Sequence, residues 1–159
     1  MKAIVVVDEN WAIGKDGDQL IYLKEDLKHF RQLTSGHGVI LGRKTLATFP
    51  NGMPLKNRTN HILSHNPQYQ LEGAVVHHTI DSILKAVQDN DFVIGGASVY
   101  EQLLPYCDTV YVTKIHAAFP ADCYFPNLDI APDWDISEES SPLEQDGIIY
   151  HFVTYRRTT

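Results

Sequence analysis

The chain has 159 residues, 43% hydrophobic and 21% charged, which suits one globular domain over 1–159 with a core of useful size. Its net charge of −7 argues against general affinity for nucleic acid or anionic membrane, so an anionic ligand must be held locally by a few placed cations and backbone amides. Two cysteines, Cys107 and Cys123, form no disulfide framework or metal spacing; no apolar run approaches a membrane span, and Met1–Asp8 meets charge too early for a secretory signal, so a cytoplasmic protein is expected.

Ala3 to Val7 is a continuous apolar run, the pattern of a strand covered on both faces. Asp8 to Leu23 follows as a long polar connection whose apolar members, Trp11, Ile13, Leu20 and Ile21 among them, favour a packed lid over disorder. Lys24 to Thr34 reads as a helix. At roughly 100° per residue, with Leu23 at zero, Leu27 falls near 40°, Phe30 near 340° and Leu33 near 280°. Asp26 lands near 300° on the same count, a lone carboxylate within the apolar arc. A first-turn acid can simply answer the helix dipole; one facing a cavity would be desolvated and its pKa raised.

Gly38 to Gly42 is a second buried strand, opening through Arg43, Lys44 and Thr45 into a short helix. Cations at a helix start are unfavourable unless an anion sits there, so this joint points to phosphate. Phe49 to Pro54 is a turn region, and Thr59 to Leu63 and Ala74 to His78 are strands. Thr79 suits the N-cap of a helix reaching Val87. Asp91 to Ile94 leads through Gly95 and Gly96 into a helix from about Ser98, a second glycine joint where a phosphate can approach backbone. Asp108 to Ile115 alternates as a strand, His116 to Pro132 is a long loop, and Trp134 to Ser137 and Ile148 to Arg156 close the chain as an antiparallel pair. These elements predict an α/β fold: a central, mostly parallel eight-stranded sheet with an antiparallel C-terminal edge strand and about four flanking helices.

No metal site is expected. His77 and His78 are neighbours on a strand and point to opposite faces, and neither H-E-x-x-H nor C-x-x-C occurs. Ser64 and Ser98 lack a nucleophile-elbow context. An acid, two phosphate-like joints and a lid suit redox chemistry with a dinucleotide.

Several segments together are similar to the dihydrofolate reductase family, in its bacterial monomeric type. They are Trp11–Gly14, Glu25–Arg31, Val39–Thr45, Pro54–Asn60, Ile62–Ser64, Val93–Gly96, Val110–Thr113 and Asp122–Pro126, in family order and spacing over nearly the whole chain. The resemblance implies NADPH-dependent reduction of 7,8-dihydrofolate to 5,6,7,8-tetrahydrofolate, with hydride transfer to C6 and protonation at N5. It implies Asp26 as the pocket carboxylate, Thr113 as its partner and Ile21 beside them in the lid. It implies a substrate site of Ile4, Val5, Asp26, Leu27, Phe30, Arg31, Phe49, Leu55, Arg58, Ile94 and Thr113, with Arg58 on the substrate's glutamate carboxylate. For NADPH it implies Arg43, Ser64 and His65 at the 2′-phosphate; Gly42, Lys44, Thr45 and Gly96 to Val99 (Ala97 and Ser98 between) toward the pyrophosphate; Val6, Ile13 and Gly14 at the nicotinamide; and Leu63, Ile94, Gly95 and Tyr100 lining the same side. It further implies a cis Gly95–Gly96 peptide, and dihydrofolate and antifolates as partners of a monomer that binds no nucleic acid or membrane.

The chain departs from the family pattern at Leu20–Ile21, where Pro-Trp is common, at Ala121 in place of glycine, and at Val6 in place of alanine. These positions bear on the lid, rate and antifolate sensitivity. Two other readings stay open: a reductase of the same fold acting on another heterocycle, as in riboflavin synthesis, and a nucleotide-binding protein without turnover.

Overall fold

The computed structural model describes residues 1–158. Its strands are β1 (Lys2–Val7), β2 (Ala12–Lys15), β3 (Asp18–Gln19), β4 (Gly38–Gly42), β5 (Thr59–Leu63), β6 (Val75–His77), β7 (Phe92–Gly95), β8 (Thr109–Ile115), β9 (Cys123–Tyr124), β10 (Trp134–Glu139), β11 (Leu143–Gln145) and β12 (Ile148–Arg157). The helices are α1 (Lys24–Thr34), α2 (Arg43–Leu46), α3 (Ile80–Ala86) and α4 (Ala97–Leu103). Eight strands lie in the order β10-β12-β8-β1-β7-β4-β5-β6, with β11 pairing alongside β12. The pairs from β8 through β6 are parallel, whereas β12 runs antiparallel to both β8 and β10. Among the described residues no helix is long and apolar enough to cross a membrane.

The two segments read as long loops contain short strands. β2 and β3 form a hairpin inside the Asp8–Leu23 connection, and β2 also pairs with β9 from the second loop. Strands of two to four residues are too short to show a period and form only because a distant partner meets them. Asp8 pins the hairpin's root: one carboxylate oxygen accepts the amides of Asn10 at 2.8 Å and Ala12 at 2.9 Å, the other that of Phe119 at 2.9 Å. Farther out, Asp122 accepts the Asp16 amide at 2.9 Å.

Alternation along β1 divides the interior. Ala3, Val5 and Val7 join the main core with Ile40, Val93 and Val112, while Val6 packs on the other side with Leu23, Ile115 and Tyr150. Thr79 caps α3 by accepting the Ser82 amide. Gly38 has no room for a side chain, because a Cβ there would stand 2.6 Å from the Asp91 carboxylate, which accepts the Gly38 and Gln88 amides at 2.8 Å each. Gly38→Ala is expected to lower stability by about 2–3 kcal/mol in urea unfolding, as the buried carboxylate is pushed off both amides.

Candidate active site

At the start of α1, Leu23 is fully buried and Asp26 is 6% exposed, yet Leu27 on the same arc is 45% exposed. The apolar face of α1 is therefore only partly covered, with a buried carboxylate beside its open part. Thr113 of β8 meets that carboxylate, its hydroxyl donating to Asp26 Oδ1 at 2.5 Å across 87 residues of sequence. Burial pushes the Asp26 carboxyl from 3.8 up to about 6, with the Thr113 hydrogen bond pulling the other way.

The residues expected at the substrate site come from several elements. Val6 is the register partner of Thr113, and Ile4, two residues back, gives its carbonyl to the Tyr100 hydroxyl at 2.6 Å. Val5 turns its side chain into the main core, so it presents only backbone on this side. Phe49, Leu55 and Ile94 share one apolar cluster with Val39, Leu41, Leu46 and Ile62. Ile21, Val6 and Phe152 all pack against the cluster of Leu23, Ile115 and Tyr150.

At the outer end, Arg58 donates from Nε to the Lys56 carbonyl at 2.8 Å and from Nη1 to the Thr34 hydroxyl at 3.1 Å, with Phe30 6.0 Å away. Partial burial and the neighbouring Arg31 both depress its pKa. Two guanidiniums held near one another favour an anion between them. Sequence reasoning missed what holds this loop. Buried Asn60 donates to the carbonyls of Leu55 and Arg58 at 2.9 and 3.2 Å and accepts the Leu55 amide at 2.9 Å. Its only sequence signal is a polar residue at the start of a buried strand.

On the other side of β7, α2 and α4 begin at the ends of neighbouring strands, and no side chain caps either start. Their glycines are spaced for this meeting: a Cβ at Gly96 would stand 3.3 Å from the Thr45 hydroxyl, and one at Gly42 3.3 Å from Val99. The Gly95–Gly96 peptide is cis. Half-buried Ala97 and exposed Ser98 give α4 an open first turn, as exposed Lys44 does for α2. Gly42, Leu63 and His77 are register partners, so Arg43, Ser64 and His78 follow three adjacent strand ends. Arg43 lies 4.2 Å over the Tyr69 ring, Ser64 is buried, His65 is exposed, and His78 Nδ1 meets the Ser64 carbonyl at 2.8 Å. His78 is a further residue the sequence did not single out here. Uncapped amides of two converging helices beside a cationic rim fit the phosphates of a dinucleotide. Ile13 and Gly14 approach from the hairpin, where a Cβ on Gly14 would strike the Asp18 carbonyl at 2.8 Å.

A model of the family described as dihydrofolate reductase matches residues 1–157. Dihydrofolate reductase of Bacillus subtilis (strain 168) is 37% identical over 158 residues, spanning 97% of this chain and 92% of that protein. Dihydrofolate reductase type 3 of Salmonella typhimurium is 35% identical over 158 residues, spanning 97% and 96%. The solved structure of dihydrofolate reductase from Enterococcus faecalis, complexed with NADP(H) and RAB-propyl, superposes with a TM-score of 0.85 at 34% identity, covering 99% of this chain and 96% of that one. With the buried acid, the paired helix starts and these relatives in agreement, the chain belongs to the dihydrofolate reductase family.

Proposed function

We propose that the groove above Asp26 takes the pterin of dihydrofolate and that the helix starts of α2 and α4 take the phosphates of NADPH. The chain catalyses NADPH-dependent reduction of 7,8-dihydrofolate to 5,6,7,8-tetrahydrofolate. The observation that carries the site assignment is the Asp26–Thr113 pair, a carboxyl whose pKa burial raises to about 6 beside the partly covered apolar face of α1. NADPH, when bound, supplies the hydride for C6 of the pteridine.

The chain's own residues align, shield and protonate. Asp26 faces N3 and the 2-amino group of the pteridine and favours the proton at N5, while Thr113 fixes the carboxyl's orientation. Leu27 and Phe30 pack on one side of the rings and Phe49, Leu55 and Ile94 on the other, so the reacting faces meet in one geometry. Ile21 and the hairpin exclude water. Arg58, with Arg31 beside it, holds the glutamate carboxylate. Arg43, Ser64 and His65 select the 2′-phosphate. The same groove is the antifolate site, and the chain acts as a cytoplasmic monomer of one domain that leaves nucleic acid and membranes alone.

The test is loss of NADPH absorbance on adding dihydrofolate, with NADH for comparison. Arg43→Gln is expected to raise the KM for NADPH about 10–100-fold, the loss of one charged hydrogen bond, and to leave that for NADH nearly unchanged. NADPH binding by calorimetry without turnover would leave a nucleotide-binding protein instead; equal turnover of a heterocycle lacking the glutamyl tail would favour the other reductase.

A further inference from the structure

Two pairs of histidines meet nitrogen to nitrogen: His61 Nδ1 lies 3.0 Å from His77 Nε2, and His116 Nε2 lies 2.8 Å from His151 Nδ1. The first pair is sealed, at 5% and 4% exposure, and the Ser82 hydroxyl occupies the far nitrogen of His77 at 2.6 Å. The second stands on the wall of a cavity of about 320 Å³ that is also lined by Asp8, Glu9, Trp11, Lys114 and Asp129. None of these residues is assigned to substrate or cofactor. We propose that His116 and His151 form a two-imidazole site for a divalent transition-metal ion of the Cu²⁺ or Ni²⁺ class.

The bite selects the metal. With metal–nitrogen bonds of about 2.0–2.1 Å, the nitrogen separation of 2.8 Å subtends roughly 85°. That is a cis angle of tetragonal or octahedral coordination and too narrow for tetrahedral zinc. The tautomer is prepared on one side: Glu139 lies 3.8 Å from His151 Nε2 and draws the proton there, leaving the Nδ1 lone pair for a ligand. His116, which then donates from Nε2, moves that proton to its own Nδ1 on binding, so no net proton is released.

The backbone under both rings is fixed. The His116 amide bonds the Ile149 carbonyl at 2.8 Å, and His151 is the register partner of Lys114. The surrounding charge is negative, with Asp8, Glu9, Asp129 and Glu139 against Lys114. Asp8 is spent on three backbone amides and Asp129 on Lys114 and Tyr155, so both act through their field. Among the described residues no third His, Cys, Asp or Glu completes a cluster, so the two imidazoles are the protein's whole contribution to the site.

Thermal unfolding of the full chain with NiCl₂ at about 100-fold over Kd is expected to raise Tm by about 5 °C or more. Cu²⁺ added to one equivalent should give an electron paramagnetic resonance spectrum with two imidazole nitrogens. His116→Gln and His151→Gln should each abolish the shift and that spectrum, and His61→Gln should keep both. No shift with the wild-type chain, a shift that survives the double variant, or loss in His61→Gln alone would overturn the assignment.

Discussion

Replacing Asp26 with Asn is expected to lower kcat at pH 7 by about 10²–10⁴-fold, the usual span for a positioned acid–base group, while making the protein more stable. The two effects share one cause. Burial holds the carboxyl near 6 in the folded chain against 3.8 when solvated, so the folded state binds more protons between those values. Below about pH 4 both states are protonated and the acid costs nothing. The penalty grows as pH rises through the window and is complete above about 6, where it reaches about 3 kcal/mol. Asparagine removes that penalty, so the Tm of Asp26→Asn at pH 7 should exceed wild type by several degrees, with the gap closing toward pH 4.

The kinetic signature has its own sign. Because the protonated carboxyl favours the proton at N5, kcat/KM of the wild type should fall as pH rises through about 6. The Asn variant should lack that step, and its residual rate should keep rising toward acid as dihydrofolate itself takes up the proton. A variant that turns over at the full rate would end the role given to Asp26. A variant whose Tm is unchanged at pH 7 would mean that the carboxyl is not desolvated.

Asp26 also shows how far sequence reading reaches. Its position inside the apolar arc of α1 follows from helical spacing alone, and the structure buries it. That Thr113 meets it from 87 residues away is a fact of sheet order, invisible to any periodicity. The strands Gly38–Gly42 and Thr59–Leu63 agree residue for residue with the pattern because both are β-rich segments inside a parallel sheet. The hairpin of β2 and β3 escaped because it is held by β9 and Asp122, not by its own composition. The histidines divide the same way. His77 and His78 do point apart, one buried and one exposed, as alternation requires. The partners of His77 and His151 come from distant parts of the chain: His61 of β5 and His116, one residue past β8.

Arg58→Gln is expected to raise the KM for dihydrofolate by about 10²-fold, the scale for losing a bidentate guanidinium–carboxylate contact. Arg58→Lys should fall between, keeping the charge without the planar fork. The side chain is preset for that task, since the Lys56 carbonyl and the Thr34 hydroxyl fix Nε and Nη1. Arg31 repels it until an anion arrives, which is why the pair is built for binding more than for stability. Unfolding free energy should therefore change by less than about 1 kcal/mol, the net worth of the lost hydrogen bonds set against relieved repulsion. A pterin lacking the glutamyl tail gives the decisive comparison. Wild type and Arg58→Gln should turn it over with the same KM, whereas a KM that rises for both substrates would show that Arg58 only braces the loop through Thr34.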